Sequence, residues 1–379
     1  DNTLLEASEN MGCVGIKRFF KIIMNLSMPT ILAAALLVFM RAFADFGTPL
    51  VIGEGYRTFP VEIYNQYLGE NGTNHSFAAA ISVIAILVTA VVFFLQKWAT
   101  NKYRFSMNAL HPVEKKKPKG IMGIFMYIYT YGLVAIALLP QIYIVYLSFR
   151  NCKGSVFLDG YSLINYQAAA KKLLGRSIKN TLVFGVVALA VIILLSVLIA
   201  YLVVRRSSIA NNIIDTVSML PYIIPGSVVG IALVLAFSKK PFALTGTMTI
   251  MIIALVIRRM PYTIRSATAT LMQIPMSIEE ASISLGASKL KTFVKVTVPM
   301  MTNGIVSGAI LSFVAIVTEL SSAIILYNNK SITLTMSTYV AISRGNYGLG
   351  AAFAAVLTVF TTIALLLYLA ISKSEDIKL

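Results

Sequence analysis

Two pairs of carboxylates stand out in the 379-residue sequence. Glu6 and Glu280 open the phrases Glu6-Ala7-Ser8 and Glu280-Ala281-Ser282, each with a glycine six residues after the glutamate, Gly12 and Gly286. Asp45 and Glu319 instead lie in strongly apolar runs. At membrane depth a carboxylate costs on the order of 2.5–3.5 kcal/mol on insertion scales, so it turns to the protein interior or to an aqueous path. Hard oxygen ligands of this kind suit a hard cation. Asp45 has a second reading, pairing with Arg41 one turn earlier, and both acids a third, a position near the outer interface. Catalytic chemistry finds no candidates: Cys13, Cys152, His75 and His111 stand alone, and there is no G-x-x-x-x-G-K-[ST] phosphate loop.

The two pairs belong to one internal repeat. Moving residues 3–29 forward by 274 positions superposes Glu6 on Glu280, Ala7 on Ala281, Ser8 on Ser282, Gly12 on Gly286 and Phe19 on Phe293. The same shift puts Phe39 on Phe313 and Asp45 on Glu319. Thr3-x-x-Glu6 and Ser277-x-x-Glu280 read as capping boxes that open short helices. Gly12 and Gly286 end them, where a left-handed turn is cheap only for glycine. FFKII and FVKV then begin a second amphipathic run, so each copy is expected to be a helix–turn–helix at a membrane surface. Their prolines differ: Pro299 faces Asn25, and Pro29 faces Asn303.

The elements that position these residues are membrane spans. At 58% hydrophobic and 12% charged residues, with mean hydropathy +0.81, the chain reads as a polytopic membrane protein. Its net charge of +17 clusters between apolar runs, the pattern of anchoring to anionic lipid rather than to nucleic acid. Runs of about 20 residues predict eight spans, at 29–50, 77–96, 123–147, 181–204, 213–236, 247–267, 304–327 and 348–371. Pro221, Pro225, Gly226 and Gly230 predict a bent fifth span. Arg258, Arg259, Arg265 and Pro261 predict that the apolar part of the sixth ends early and a helical extension carries on.

Lysine and arginine counts set the orientation. With the first loop inside, the inner segments hold 20 and the outer ones 11, with Arg41 inside a span. Both repeated loops and the C-terminus are therefore expected in the cytoplasm. Cys13 then lies inside and Cys152 outside, which excludes a disulfide between them. Segment 97–122, with Lys115-Lys116-Lys117-Pro118-Lys119, reads as a basic cytoplasmic linker. It separates residues 1–96, the end of one half, from residues 123–379, a second six-span half. The first four spans of the first half are expected to precede Asp1, and a native eight-span protein is the alternative. Asn71-Gly72-Thr73 marks a polar outer loop.

Glu-Ala-Ser-x-x-x-Gly followed by Phe293 and Pro299 resembles the EAA loop of the membrane subunits of ATP-binding-cassette importers, the match being closer in the second copy. IDTVSMLPYIIPGSVVG, VIRRMPYTIRSATATLMQIPMSIEEA and FADFGTPLVIG resemble the ferric-iron branch of that family. The resemblance implies an all-α polytopic fold of the MetI-like permease type, with the second half complete and the first partial. It implies a permease subunit of the bacterial inner membrane, not an enzyme, that translocates ferric iron by alternating access. The implied partners are a dimer of ATPase subunits and an extracytoplasmic substrate-binding protein. ATP and Mg would be bound by the ATPase, and this chain would carry no cofactor of its own. Glu6 and Glu280 would make charged contacts to the ATPase, Ala7 and Ala281 would keep that surface close, and Gly12 and Gly286 would set the turn. Phosphonate, thiamine and polyamine permeases share much of the pattern, and an ion-coupled secondary transporter is the rival class.

Overall fold

The computed structural model of the protein describes residues 2–69, 74–102, 120–206 and 208–376. Most of the basic linker and the Asn71-Gly72-Thr73 phrase lie outside them. The chain divides into two compact units, residues 1–44 with 83–140 and residues 45–82 with 141–379.

In the first unit α1 (Asn2–Asn10) turns into α2 (Gly15–Arg18), a π-helical turn (Phe19–Ile23) and α3 (Met24–Phe43). The chain continues through α4 (Gly47–Ile52), α5 (Phe59–Leu68), α6 (His75–Lys102) and α7 (Gly120–Phe149); the last two each run from one unit into the other. Beyond α7 comes an antiparallel hairpin, β1 (Arg150–Lys153) with β2 (Val156–Tyr161), the other elements among the described residues being helical. Then follow α8 (Ile164–Lys172), α9 (Leu174–Arg205), α10 (Ile209–Ile223), α11 (Gly226–Ala236) and α12 (Met248–Gln273). The second loop comprises α13 (Met276–Ser284), α14 (Lys289–Thr292), a π-helical turn (Phe293–Thr297) and α15 (Val298–Met300). The chain closes with α16 (Thr302–Val317), α17 (Ala323–Leu326), α18 (Leu334–Ser343) and α19 (Tyr347–Asp376).

The repeat survives in the backbone. α1 and α13, α2 and α14, and the two π-helical turns all keep the 274-residue shift end to end. A π-helical turn inserts one residue per turn and re-aims the side chains beyond it, so its recurrence preserves one geometry twice. The exits differ, as the prolines suggest. α3 is continuous, whereas the stretch Lys289–Met300 meets Thr302–Val317 at a 68° bend, just after Pro299 removes a backbone donor.

The eight expected spans correspond to fewer continuous helices. Four described helices are long and apolar enough to cross a membrane, at His75–Ala99, Gly120–Phe149, Leu174–Arg205 and Tyr347–Ala370. The bend expected in the fifth span is present as a sharp break between two helices, α10 and α11, set at 110°, with Ile224 extended before Pro225. The expected seventh is also interrupted, since α16 stops at Val317 and helix resumes only at Ala323. α12 does run on past Pro261 to Gln273, as expected of the sixth.

α12 is the centre of the second unit, packed against both α9 and α16, which also touch each other. Phe184 and Ile192 of α9, Met251 and Leu255 of α12 and Ile316 of α16 form its main core. Gly304 and Gly308 set the α12–α16 distance: a Cβ on Gly308 would lie 2.7 Å from Thr263 Cα. Small residues four apart let helix backbones approach closely in lipid. The contact is polar as well as tight. Thr263 and Ser312 hydroxyls lie 2.8 Å apart, and Ser266 Oγ donates to Gly304 O at 2.7 Å.

Candidate functional site

The second loop is held from one side and open on the other. α13 starts at Met276 with Pro275 at its N-cap and no side-chain cap, so the expected Ser277–Glu280 capping box is not formed. Proline's fixed φ pre-sets the helix, which places Ser277 inside it. Thr3 is likewise within α1. The side-chain cap sits after the turn, where Ser288 Oγ accepts from Lys291 N at 3.3 Å.

Glu279, not its neighbour Glu280, anchors the helix. It is 3% exposed, accepting from Arg205 Nε at 2.8 Å and Tyr201 Oη at 3.3 Å, both at the end of α9. Arg205 Nη2 also donates to Ile274 O at 2.9 Å. Phe293 packs edge-on against Tyr201 with ring centroids 4.7 Å apart, and Ser282 Oγ meets Thr292 Oγ1 at 3.0 Å across the turn. Adjacent residues on a helix face apart, so Glu280 and Ala281 are exposed when Glu279 is buried. Gly286 has φ +89°, in the left-handed region the sequence analysis anticipated.

The first loop has the same backbone and different fastenings. Glu6 and Ala7 are exposed, and Gly12 has φ +71°. Leu5 stands where Glu279 would be, and an Arg18–Glu9 ion pair at 3.2 Å spans the turn in place of Ser282 and Thr292. Both loops show water the same large apolar residues beside the glycine: Met11 and Leu285, then Ile16 and Leu290, are 85, 89, 79 and 73% exposed. Apolar residues clustered on an otherwise polar turn mark a contact surface.

The second acidic pair sits at helix breaks. Asp45, half-buried, lies between α3 and α4, and Glu319 lies between α16 and α17. The breaks touch, since a Cβ on Gly47 would meet Leu320 Cδ2 at 3.3 Å. Glu319 is 3% exposed, and its carboxylate is fully occupied. Arg258 Nη1 and Arg259 Nη2 of α12 each donate to one oxygen, and Ser322 N and Oγ add bonds at 3.0 and 3.1 Å. Gly226 makes room for this cluster, because a Cβ there would stand 2.4 Å from Arg258 Nη1 and 2.5 Å from Ser321 Cβ. The 110° break, the interrupted seventh span and the α12 arginines thus meet at one point. The arginines were legible only as the early end of an apolar run; two cations one residue apart within a helix were the signal of a buried anion. Among the described residues no three His, Cys, Asp or Glu side chains are grouped to hold a metal.

The model of the family described as binding-protein-dependent transport system inner membrane component matches residues 1–105 and 192–375. The ferric transport system permease protein FbpB of Actinobacillus pleuropneumoniae is 28% identical over 376 residues, covering 96% of this chain and 53% of that protein. The putative ferric transport system permease protein FbpB 1 of Haemophilus influenzae is 28% identical over 345 residues, covering 85% and 51%. The chain thus spans about half the length of the curated relatives it matches. In fold it is similar to a bacterial ABC transporter involved in the import of the acidic polysaccharide alginate, with TM-score 0.50 and 16% identity over 66% of this chain and 98% of that one. With a family match over most of its length, on a helical fold built around two copies of one glycine-turned loop, the chain belongs to the binding-protein-dependent transport system inner membrane components.

Proposed function

We propose that the chain is the translocation subunit of an ATP-driven importer and carries ferric iron delivered by an extracytoplasmic binding protein. Its likeness to ferric permeases over nearly its whole length carries the substrate assignment. The paired loops support the drive. Each presents an exposed Glu-Ala face (Glu6-Ala7, Glu280-Ala281) and an apolar tip beside Gly12 or Gly286, a surface suited to a cleft on a soluble subunit. ATP and Mg belong to that partner, and a dimer of it would take one loop on each subunit. Both loops and the C-terminus face the cytoplasm in this reading.

The partner's closure moves α13 as a lever on α9, because Glu279, Arg205 and Tyr201 tie the two together. α9 packs on α12, and α12 carries the arginines that hold Glu319 at the helix breaks. A displacement at the loop therefore reaches the breaks through packed, hydrogen-bonded elements with two arrangements. The pathway passes the touching breaks, where Asp45 is the accessible carboxylate and Glu319 acts through the shape that its arginines impose.

The test is uptake of ferric iron by vesicles containing the assembled transporter. The reading requires ATP dependence and co-purification of an ATPase. Uptake that persists without ATP and collapses with the proton gradient would refute it.

A further inference from the structure

The end of the second unit away from the loop carries a charge that membrane orientation does not explain. Translocated segments are normally poor in lysine and arginine. Here 148–180 holds six, 237–246 two and 328–347 two, with Asp159 the single acid among them. These segments gather at one place. Arg176 Nη1 donates to Asn329 O at 3.1 Å and Asn180 Nδ2 to Lys330 O at 2.8 Å. Tyr347 N donates to Gly154 O at 3.1 Å, and Asn328 Nδ2 to Gly246 O. From there α9 runs 32 residues, about 48 Å at the α-helical rise, to Arg205 and the loop.

The charge is displayed rather than consumed. Lys153, Lys171, Lys172, Lys179, Lys330 and Arg344 are exposed, and none forms an ion pair among the described residues. Lys171 and Lys172 complement the C-terminal end of α8. Arg176 and Lys179 do the opposite, standing in the opening turns of α9, where positive charge opposes the helix dipole. Within this chain the surplus lies beyond residue 147, since segment 53–70 holds Glu54, Glu62 and Glu70 against Arg57, with Arg57 and Glu62 paired at 3.7 Å.

We propose that this face docks an acidic surface of an extracytoplasmic binding protein, seated over the second half of the permease. The proposal rests on the permease reading above and adds to it the sign and the position of the contact. A field of one sign steers an oppositely charged partner, raising its association rate in a salt-dependent way. The opposite sign at 53–70 keeps an acidic surface off that segment.

The experiment measures binding of the purified binding protein encoded beside this chain's gene to the full transporter in nanodiscs. Lys171→Glu with Lys172→Glu is expected to weaken binding about tenfold, mainly in the association rate. Replacing the same pair by alanine should give a smaller loss. Raising salt from about 0.05 to about 0.5 M, which shortens the screening length severalfold, should weaken wild-type binding and shrink the difference between the variants. Wild-type binding that ignores salt and the Glu variant overturns the proposal alone. Absence of any wild-type binding overturns the permease reading and the proposal with it. A Glu variant that binds the protein normally but no longer retains phosphatidylglycerol on purification overturns the proposal in favour of a lipid contact.

Discussion

Glu319→Gln isolates the buried charge cluster with almost no change of shape. In the native protein one oxygen accepts from Arg258 and from the Ser322 backbone and hydroxyl, while the other accepts from Arg259. The amide keeps one acceptor and turns a donor toward the second guanidinium, so two cations are left without a counter-charge in a site 3% exposed at Glu319 and 8% at Arg258. Removing one partner of a buried ion pair costs about 3–5 kcal/mol, more than a hundredfold in the folding equilibrium. Denaturation of the purified protein followed by circular dichroism reads the loss. A double-mutant cycle with Arg259→Gln should show coupling, because the second change relieves one of the stranded charges. Stability of Glu319→Gln within about 1 kcal/mol of wild type, or strict additivity in the cycle, would refute the argument. Transport abolished at unchanged stability would instead mark Glu319 as a ligand of the cargo.

Three further outcomes follow from the same geometry. Glu279→Ala strands Arg205, whose side chain is 9% exposed, and should speed hydrogen exchange of α13 and α14 amides about a hundredfold while leaving α12 protected. Gly286→Val meets no atom within 4 Å but must hold φ +89°; the strain, of order 1–3 kcal/mol, should uncouple ATP hydrolysis from uptake with the protein still in the membrane, whereas Gly286→Asn should retain coupling. Gly308→Val drives a side chain into the Thr263 backbone and should lower stability by about 1–3 kcal/mol, read as a lower unfolding midpoint in detergent.

The repeat was legible because its markers need particular residues. A left-handed turn selects glycine, so Gly12 and Gly286 could be read as turn positions without a structure. The cap was misread at 277 because Ser-x-x-Glu is a local pattern, and the preceding Pro275 began the helix earlier. Glu279 escaped notice because two adjacent glutamates are equivalent on paper; Arg205, 74 residues away, decides which one is buried.

Composition and spacing by themselves determined that the chain is a polytopic helical protein with one loop used twice, since apolar length and repeated turn chemistry are local properties. Tertiary structure alone decided how sharply the fifth span bends, that the seventh is interrupted at all, and what the buried acids meet. Pro225 and the residues around Glu319 interrupt helices that hydropathy would continue. The carboxylate of Glu319 is satisfied by Arg258 and Arg259 across the helix interface and by Ser322 three residues on. Pairings at 60 and 61 residues' separation leave no periodic trace in a sequence, because they depend on which faces of α12 and α16 Gly304 and Gly308 bring together.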